Sequence, residues 1–341
     1  MRDKGVFFSR IYIERGLVEE SPYVDGLLKG RLKGLRVTTI SHYKDIFSRP
    51  RQEIELQKRR PAIILARKRP PYLYEGSKLC RSSADTVEGS DYYALPMMNC
   101  PMSCEYCFLR GMYPSAHLVY FVNFDEVFEE ISSAIYEHSI GKIALSFESD
   151  LVYLDSILRC LEPWLDFARQ HPETTFEIRT KAGGRLHFLK ETRPLKNVRL
   201  AWSISPPRLH TAFEHGSPSI GARLKAIRDA IEYGWQVTIC LDPILYTISW
   251  EGHYMEFISK LFTQIPPGPI QEVQIGVFRM GKEQLKEARK RYPSSQLLHY
   301  PYEIVGNTYT YPKKVAETLL SKVKGLLMEH ITEERIRIVG V

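Results

Sequence analysis

No apolar run in this chain approaches the roughly 18 residues that a membrane-spanning helix requires, so no membrane partner is expected. The opening stretch, MRDKGVFFSRIYIERG, lacks the apolar segment of a secretory signal, so export is not expected either. Cysteine is sparse, six in 341 residues, too few for a disulfide-built fold of this length. No G-x-G-x-x-G or Walker A string occurs, which removes the usual sequence evidence for a dinucleotide or ATP site. Fixed-period repeats and low-complexity tracts are also missing, so solenoid and fibrous classes drop out. What remains is ordinary for a globular chain: 44% apolar and 26% charged residues, with room for a normal core.

The net charge is +7, and its distribution is uneven. Arg49, Arg51, Lys58, Arg59, Arg60, Arg67, Lys68 and Arg69 stand against only Glu53 and Glu55, close to the whole net excess. Such a stretch is either a phosphate-facing surface or a solvated face.

Regularity changes along the chain. Residues 1–90 read as a basic, irregular α/β extension packed on the larger C-terminal portion. From Asp91, short apolar runs alternate with amphipathic stretches. Strands are expected at Tyr92–Met97, Lys142–Phe147, Thr174–Ile178, Val198–Ile204, Gln236–Leu241 and Glu272–Val277. Helices are expected at Phe124–Glu137, Leu154–Arg169, Ile220–Tyr233, His253–Thr263 and Glu283–Lys290. Strand–helix alternation with such crossovers implies a parallel sheet, and six units suit a partial barrel or a doubly wound sheet. The barrel-like part would span 91–295. Residues 296–341 would add a hairpin turning at Gly306-Asn307, then a helix, Lys313–Glu329, opened by Pro312.

Three cysteines, Cys100, Cys104 and Cys107, come just after the first expected strand in the string NCPMSCEYCFLR. Soft thiolates this close suit zinc or an iron–sulfur cluster. A structural zinc normally takes four ligands, and the other candidates (Cys80, Cys160, Cys240 or a histidine) are remote in sequence. Three ligands on a [4Fe-4S] cluster would leave one iron open to a small molecule. A disulfide pair is the remaining reading, with nothing to suggest an oxidising compartment.

This C-x3-C-x2-C string, with Tyr106 before its last cysteine, resembles the signature of the radical S-adenosylmethionine superfamily. The rest of the chain is similar to the spore photoproduct lyase family within it. The resemblance runs through Thr38–His42, Tyr93–Pro96, Val122–Glu126, Ser149-Asp150, Thr180-Lys181, Trp202–Ser205, Phe213-Glu214, Asp242–Ile244 and Arg291–Pro293. It implies a partial (β/α)6 TIM-type barrel with an N-terminal extension and a C-terminal hairpin plus helix. It implies a [4Fe-4S] cluster on Cys100, Cys104 and Cys107, with S-adenosylmethionine chelated at the open iron and cleaved to a 5′-deoxyadenosyl radical. The implied activity is DNA repair, in which 5-thyminyl-5,6-dihydrothymine reverts to two thymines. A flavodoxin or ferredoxin would supply the electron, and the implied setting is the cytoplasm of a spore or germinating cell.

Residue roles follow from the same resemblance. Ser149, Lys181 and Ser203 would contact S-adenosylmethionine. Chemistry agrees, since the cofactor's carboxylate suits an ammonium and its amine and ribose suit hydroxyls. A helix N-cap is the competing role for either serine. Asp242 would bind the ribose or adenine edge, or cap the next helix. Arg279 would face DNA, and Tyr302, Tyr309 and Tyr311 would belong to a hairpin entering the duplex, although PYEIVGNTYTYPK is nearly neutral here. The alternative for the tyrosines is burial against the last helix.

Two positions depart from the family. The cysteine that returns a hydrogen atom to the thymine radical aligns with Phe147, and the tyrosine after the last cluster cysteine aligns with Phe108. Tyr106 or Cys240 would then quench the radical, Cys240 sharing a strand face with Asp242, or being a small buried hydrophobe. Otherwise S-adenosylmethionine is consumed as a co-substrate, or the substrate is another nucleic-acid lesion, a nucleotide or a peptide. A non-catalytic DNA-binding or electron-transfer protein with a zinc or iron–sulfur site is the remaining class.

Overall fold

The computed structural model describes residues 8–76 and 92–340. Cys80 and the expected boundary near residue 90 lie outside the described residues. Six strands, Tyr92–Ala94, Lys142–Ala144, Thr175–Thr180, Val198–Ser203, Gln236–Ile244 and Ile270–Val277, pair in parallel and in chain order. In-order parallel pairing is what strand–helix–strand crossovers produce, and it gives a partial, open barrel. Ile336–Ile338 extends one edge in parallel and Leu73–Glu75 the other edge antiparallel.

All six strand expectations fall on these elements, but the first two end early. After Ala94 the chain leaves the barrel, and Met97–Met98 pairs antiparallel with Leu118–Phe121. That last strand is buried at every position and was missed as a strand in the sequence. It belongs to a second sheet, where Val37–Ile40, Ile11–Glu14, Ile63–Ala66 and Leu118–Phe121 run parallel. The N-terminal extension is therefore sheet-forming, and the crossover between the first two barrel strands passes through it.

The helix expected over Leu154–Arg169 is two helices, Leu151–Leu158 and Glu162–Gln170. Arg159 turns left-handed at φ 51° and Asp155 accepts the Leu161 N–H at 2.9 Å, which breaks the run. Pro163 then suits the first turn of the second helix. The other expected helices form at Phe124–His138, Ile220–Glu232, Trp250–Gln264, Lys282–Arg291 and Lys313–Met328. The hairpin, Glu303–Val305 with Thr308–Thr310, is joined antiparallel by Arg279–Gly281 into three strands.

A main core fills the space between barrel and helices. A smaller cluster of Ile46, Phe47, Ile64, Leu109, Tyr113, Val119 and Phe121 packs under Cys100, Cys107 and Phe108. The N-terminal sheet thereby forms an apolar bed for the cysteine loop.

Candidate active site

The cysteine loop sits at the C-terminal end of the barrel strands, the end where barrels of this type carry their sites. Asn99 fixes its start with a left-handed φ of 73°, a conformation asparagine tolerates. Its side-chain amide donates to the Ser115 and His117 carbonyls at 2.7 and 3.1 Å and accepts the Cys100 N–H at 2.9 Å. From the N-terminal helix Ile54–Arg59, Lys58 Nζ donates to the Cys100 carbonyl, and to that of Met102 at 3.2 Å. On the far side, Ser103-Cys104 pairs antiparallel with Glu214-His215. Glu105 is held by His215 Nε2 at 2.8 Å and by the Ser295 hydroxyl.

Cys100, Cys104 and Cys107 are free thiols. Burial pushes Cys100 up to about 11 and Cys104 up to about 12, the latter against the pull of Lys181. Three free thiols on one short loop, Cys104 buried and the other two half-buried, with a lysine on the loop's own carbonyls, are a donor set that a multinuclear iron–sulfur centre fits. Among the described residues, no three His, Cys, Asp or Glu side chains close around one point as they would for a single ion. A cube takes its thiolates at separate corners, so that spacing does not conflict with it.

Ser149 and Lys181 meet through Asp150. The Asp150 carboxylate caps Leu151–Leu158 by accepting the Tyr153 N–H at 2.9 Å, and accepts the Lys181 N–H and the Thr180 hydroxyl, each at 2.7 Å. The cap is thus Asp150 and not Ser149, whose hydroxyl has only Met97 Sδ at 3.9 Å. Ser203 ends the fourth strand without capping a helix, and its carbonyl accepts Arg223 Nη1 at 2.9 Å. Lys181 Nζ lies 5.4 Å from the Tyr106 ring centre, so the ammonium is aimed back toward the cysteine loop.

Tyr106 is half-buried, and its hydroxyl donates to Glu214 at 2.6 Å. Glu214 also accepts from Ser205 at 2.8 Å and from Arg223. Burial, and then Glu214, push the Tyr106 phenol well above its ordinary value. Glu214 is itself held down at about 2, because Lys181 and Arg223 outweigh its burial. Sequence reading missed Glu214 and Arg223 as a unit, for only the fold brings them under Tyr106.

Asp242 and Arg279 are brought together by the fold. Asp242 lies within the fifth barrel strand and caps no helix. Its carboxylate takes Arg279 at 2.7 and 3.0 Å and Arg179 at 3.0 Å. Burial would raise its pKa, but Arg279 and then Arg179 hold it at about 2. Arg279 therefore faces Asp242 inside the barrel mouth. Gly276 makes the pair possible, since a Cβ there would lie 2.6 Å from Asp242 Oδ1. Cys240 shares that face as expected, fully buried, with Sγ 3.6 Å from Gln274 Oε1. Burial pushes its thiol up to about 12.

The hairpin tyrosines differ from one another. Tyr311 is buried, and its hydroxyl accepts the Tyr246 N–H at 2.9 Å. Tyr302 stacks on Phe278 at 4.4 Å and donates to the Leu297 carbonyl at 2.8 Å. Both brace the hairpin base, Tyr311 buried and Tyr302 half-buried. Tyr309 is half-buried beneath Arg289. At the tip, Ile304 and Val305 are exposed instead.

Phe147 and Phe108 come together. Their rings lie 5.4 Å apart, and Tyr93 packs on Phe147 at 4.6 Å with Tyr74 stacked behind it at 5.0 Å. Next to Phe147, Glu148 is bonded to the Tyr113 hydroxyl, and burial pushes its carboxyl up to about 7. No motif marks Glu148; it follows from burial alone.

A spore photoproduct lyase family profile matches residues 80–338. The chain is 25% identical to the spore photoproduct lyase of Geobacillus sp. (strain Y412MC61) over 219 residues, and 21% identical to that of Clostridium acetobutylicum over 218. Each match covers 62% of this chain and 64% of the relative, so it spans less than two thirds of their length. Among solved structures, a cysteine-to-alanine mutant of spore photoproduct lyase superposes with a TM-score of 0.80 at 20% identity, over 98% of this chain and 99% of that one. A spore photoproduct lyase complexed with dinucleoside spore photoproduct gives 0.81 at 19%, with the same coverage. At these identities the structural likeness speaks to the fold.

Proposed function

The chain belongs to the spore photoproduct lyase family, and on that premise we propose that it is a radical S-adenosylmethionine lyase reverting 5-thyminyl-5,6-dihydrothymine in DNA to two thymines. The observation that carries the reading is the loop of three free thiols at the barrel mouth, Cys104 buried and Cys100 and Cys107 half-buried, with Lys181 aimed at it. Cys100, Cys104 and Cys107 would hold a [4Fe-4S] cluster, and Lys181, Ser149 and Ser203 would hold S-adenosylmethionine. Bound together, these groups would supply one-electron reductive cleavage of S-adenosylmethionine as the source of a substrate radical.

The chain's own residues bind and shield. Lys181 offers three donors to a carboxylate, and the two serines donate to or accept from an amine and a ribose. Asp150 fixes the Lys181 backbone and Glu214 fixes the Tyr106 ring beneath it, so the ammonium approaches from one direction. Phe147, Phe108 and Tyr93 line the approach with ring faces that exclude water. DNA carrying the lesion is the partner this reading names, with a flavodoxin or ferredoxin as donor. No helix among the described residues is long and apolar enough to cross a membrane, and a cytoplasmic setting suits an oxygen-labile centre.

One observation favours a variation in which S-adenosylmethionine is consumed. The pair Phe147–Phe108 carries no transferable O–H or S–H, so a product radical would draw its hydrogen atom from elsewhere. The test is a product assay on the anaerobically reconstituted protein with reductant, S-adenosylmethionine and a lesion-bearing oligonucleotide. Restored thymine is expected, with 5′-deoxyadenosine accumulating in step with repair. A Phe147→Cys variant is expected to release less 5′-deoxyadenosine per repaired lesion, and Cys104→Ala none. 5′-Deoxyadenosine without thymine would remove this substrate, and its absence in the unaltered protein would remove the radical chemistry.

A further inference from the structure

A cavity of about 540 Å³ opens beside the cysteine loop, lined by Phe213, Tyr246, Thr247, Trp250, Gln296 and Tyr300 among others. Two segments that touch the cysteine loop also build it, and a third closes it. Phe213 forms one wall; its carbonyl accepts the Glu105 N–H at 2.9 Å, and the next residue, Glu214, pairs with Cys104. Gln296 and Tyr300 come after Ser295, whose hydroxyl bonds Glu105. The loop leaving the fifth barrel strand closes the remaining side, tied to the hairpin base through Tyr246 and Tyr311.

The lining specifies the ligand chemistry. It contains no lysine or arginine, and its one charged residue is Glu251, paired with Lys322 at 3.9 Å, so nothing in the lining draws a phosphate. Tyr246, Trp250 and Tyr300 supply ring faces within 6.3 Å of one another through Tyr246. The Gln296 amide is at the surface, and the Thr247 hydroxyl is buried with no partner among the described residues. Flat faces with neutral donors and acceptors, and no cation, fit an uncharged heteroaromatic ring. At the lip stands Ile248, 89% exposed, an aliphatic side chain with no place in the core. Beyond Tyr311, the exposed Lys313 and Lys314 lie outside the cavity, where a backbone would run.

We propose that this cavity is a second base site, holding the unstacked nucleobase next to the lesion while Ile248 fills the gap in the stack. The inference rests on the proposed repair function. A lesion drawn out of the stack leaves its neighbour without a partner on one face, and apolar wedges are what proteins insert there. A ring faced by aromatic side chains recovers the lost stacking, and the neutral lining leaves the phosphates outside.

The test compares two ligands: the dinucleoside lesion, which has no neighbouring base, and the same lesion within a single-stranded oligonucleotide. Ile248→Ser removes the wedge and Gln296→Phe fills the cavity; both sites are exposed, so folding is spared. Each variant is expected to weaken oligonucleotide binding by about tenfold, the scale of one lost base stack, while dinucleoside affinity holds. Equal weakening for both ligands would make the cavity the lesion's own pocket and overturn the inference. Unchanged affinity for both would overturn it as well. An unaltered protein that does not prefer the lesion in either ligand would instead remove the repair function, and the second base site with it.

Discussion

At the scale of single residues, Asp242 shows how a partner decides a role. As a lone carboxylate at a strand end it reads as a cofactor ligand, because sequence order hides Arg179 and Arg279. The fold brings both to it, and Gly276 leaves the space. Removing one member of a buried ion pair leaves the other members uncompensated, at about 3–5 kcal/mol. Asp242→Asn keeps part of the hydrogen bonding, so a loss of about 3 kcal/mol is expected in chemical denaturation at neutral pH. The pH dependence has a definite sign. A carboxyl held at about 2 when folded, against about 3.9 unfolded, adds stability above the unfolded value and loses it as pH falls toward 2. Glu177 and Glu214, also held at about 2, act in the same direction. Denaturation midpoints for the unaltered protein should fall between about pH 4 and pH 2, and Asp242→Asn should remove part of that fall. A variant with the same acid profile as the parent would show that Asp242 is not held by its arginines. The cysteines were legible for the opposite reason: their chemistry lies in local spacing, which a sequence displays directly.

At the scale of elements, local signals placed the barrel strands and left their surroundings unread. Strands from Lys142 to Val277 are apolar runs bounded by turns, and the periodicity finds them. Leu118–Phe121 has the same character, but it comes after the cysteine loop and pairs with a sheet built mainly from residues before 67, a long-range choice no window contains. The short helix Leu109–Met112, two residues after Cys107, is a similar case. It packs so closely on Lys282–Arg291 that a Cβ at Gly111 would overlap the Gln284 carbonyl oxygen. Arg291 reinforces the contact by donating to the carbonyls of Arg110 and, at 2.8 Å, of Tyr113. A backbone atom cannot yield as a side chain can, so the two helices must separate if a methyl is added. Gly111→Ala is therefore expected to cost at least the usual overpacking penalty, about 1–3 kcal/mol. Because the displaced helix begins two residues after Cys107, iron content after reconstitution should fall along with the melting temperature. Full iron loading with unchanged stability would show that the helix contact does not position the cysteine loop.

At the scale of the whole molecule, the basic stretch from Arg49 to Arg69 resolves into two populations, which charge counting could not separate. Lys58 reaches the cysteine-loop carbonyls, Arg67 pairs with Glu20, and Lys68 is buried beneath the rings of Tyr72, Tyr74 and Phe121. Lys58 thus ties the N-terminal extension to the cysteine loop, while Arg67 and Lys68 are engaged within the extension itself. Arg49, Arg51, Arg59, Arg60 and Arg69 remain exposed. Arg59 lies on the same helix as Lys58, which reaches the cysteine loop, so at least this exposed cation stands near the candidate site. Phosphate contacts release counterions, and for single strands each contact adds about 0.7 to the slope of log affinity against log salt. Replacing Arg51, Arg59 and Arg60 together by serine should flatten the slope for a lesion-bearing single strand by about 2, if each meets one phosphate. The dinucleoside lesion, too short to reach them, should bind the variant as it binds the parent. Substituting exposed arginines leaves the core and the Lys58 contact in place, so a flattened slope would report phosphate contact and not unfolding. An unchanged slope would assign these arginines to solvent and leave the exposed Lys313 and Lys314 to carry the strand.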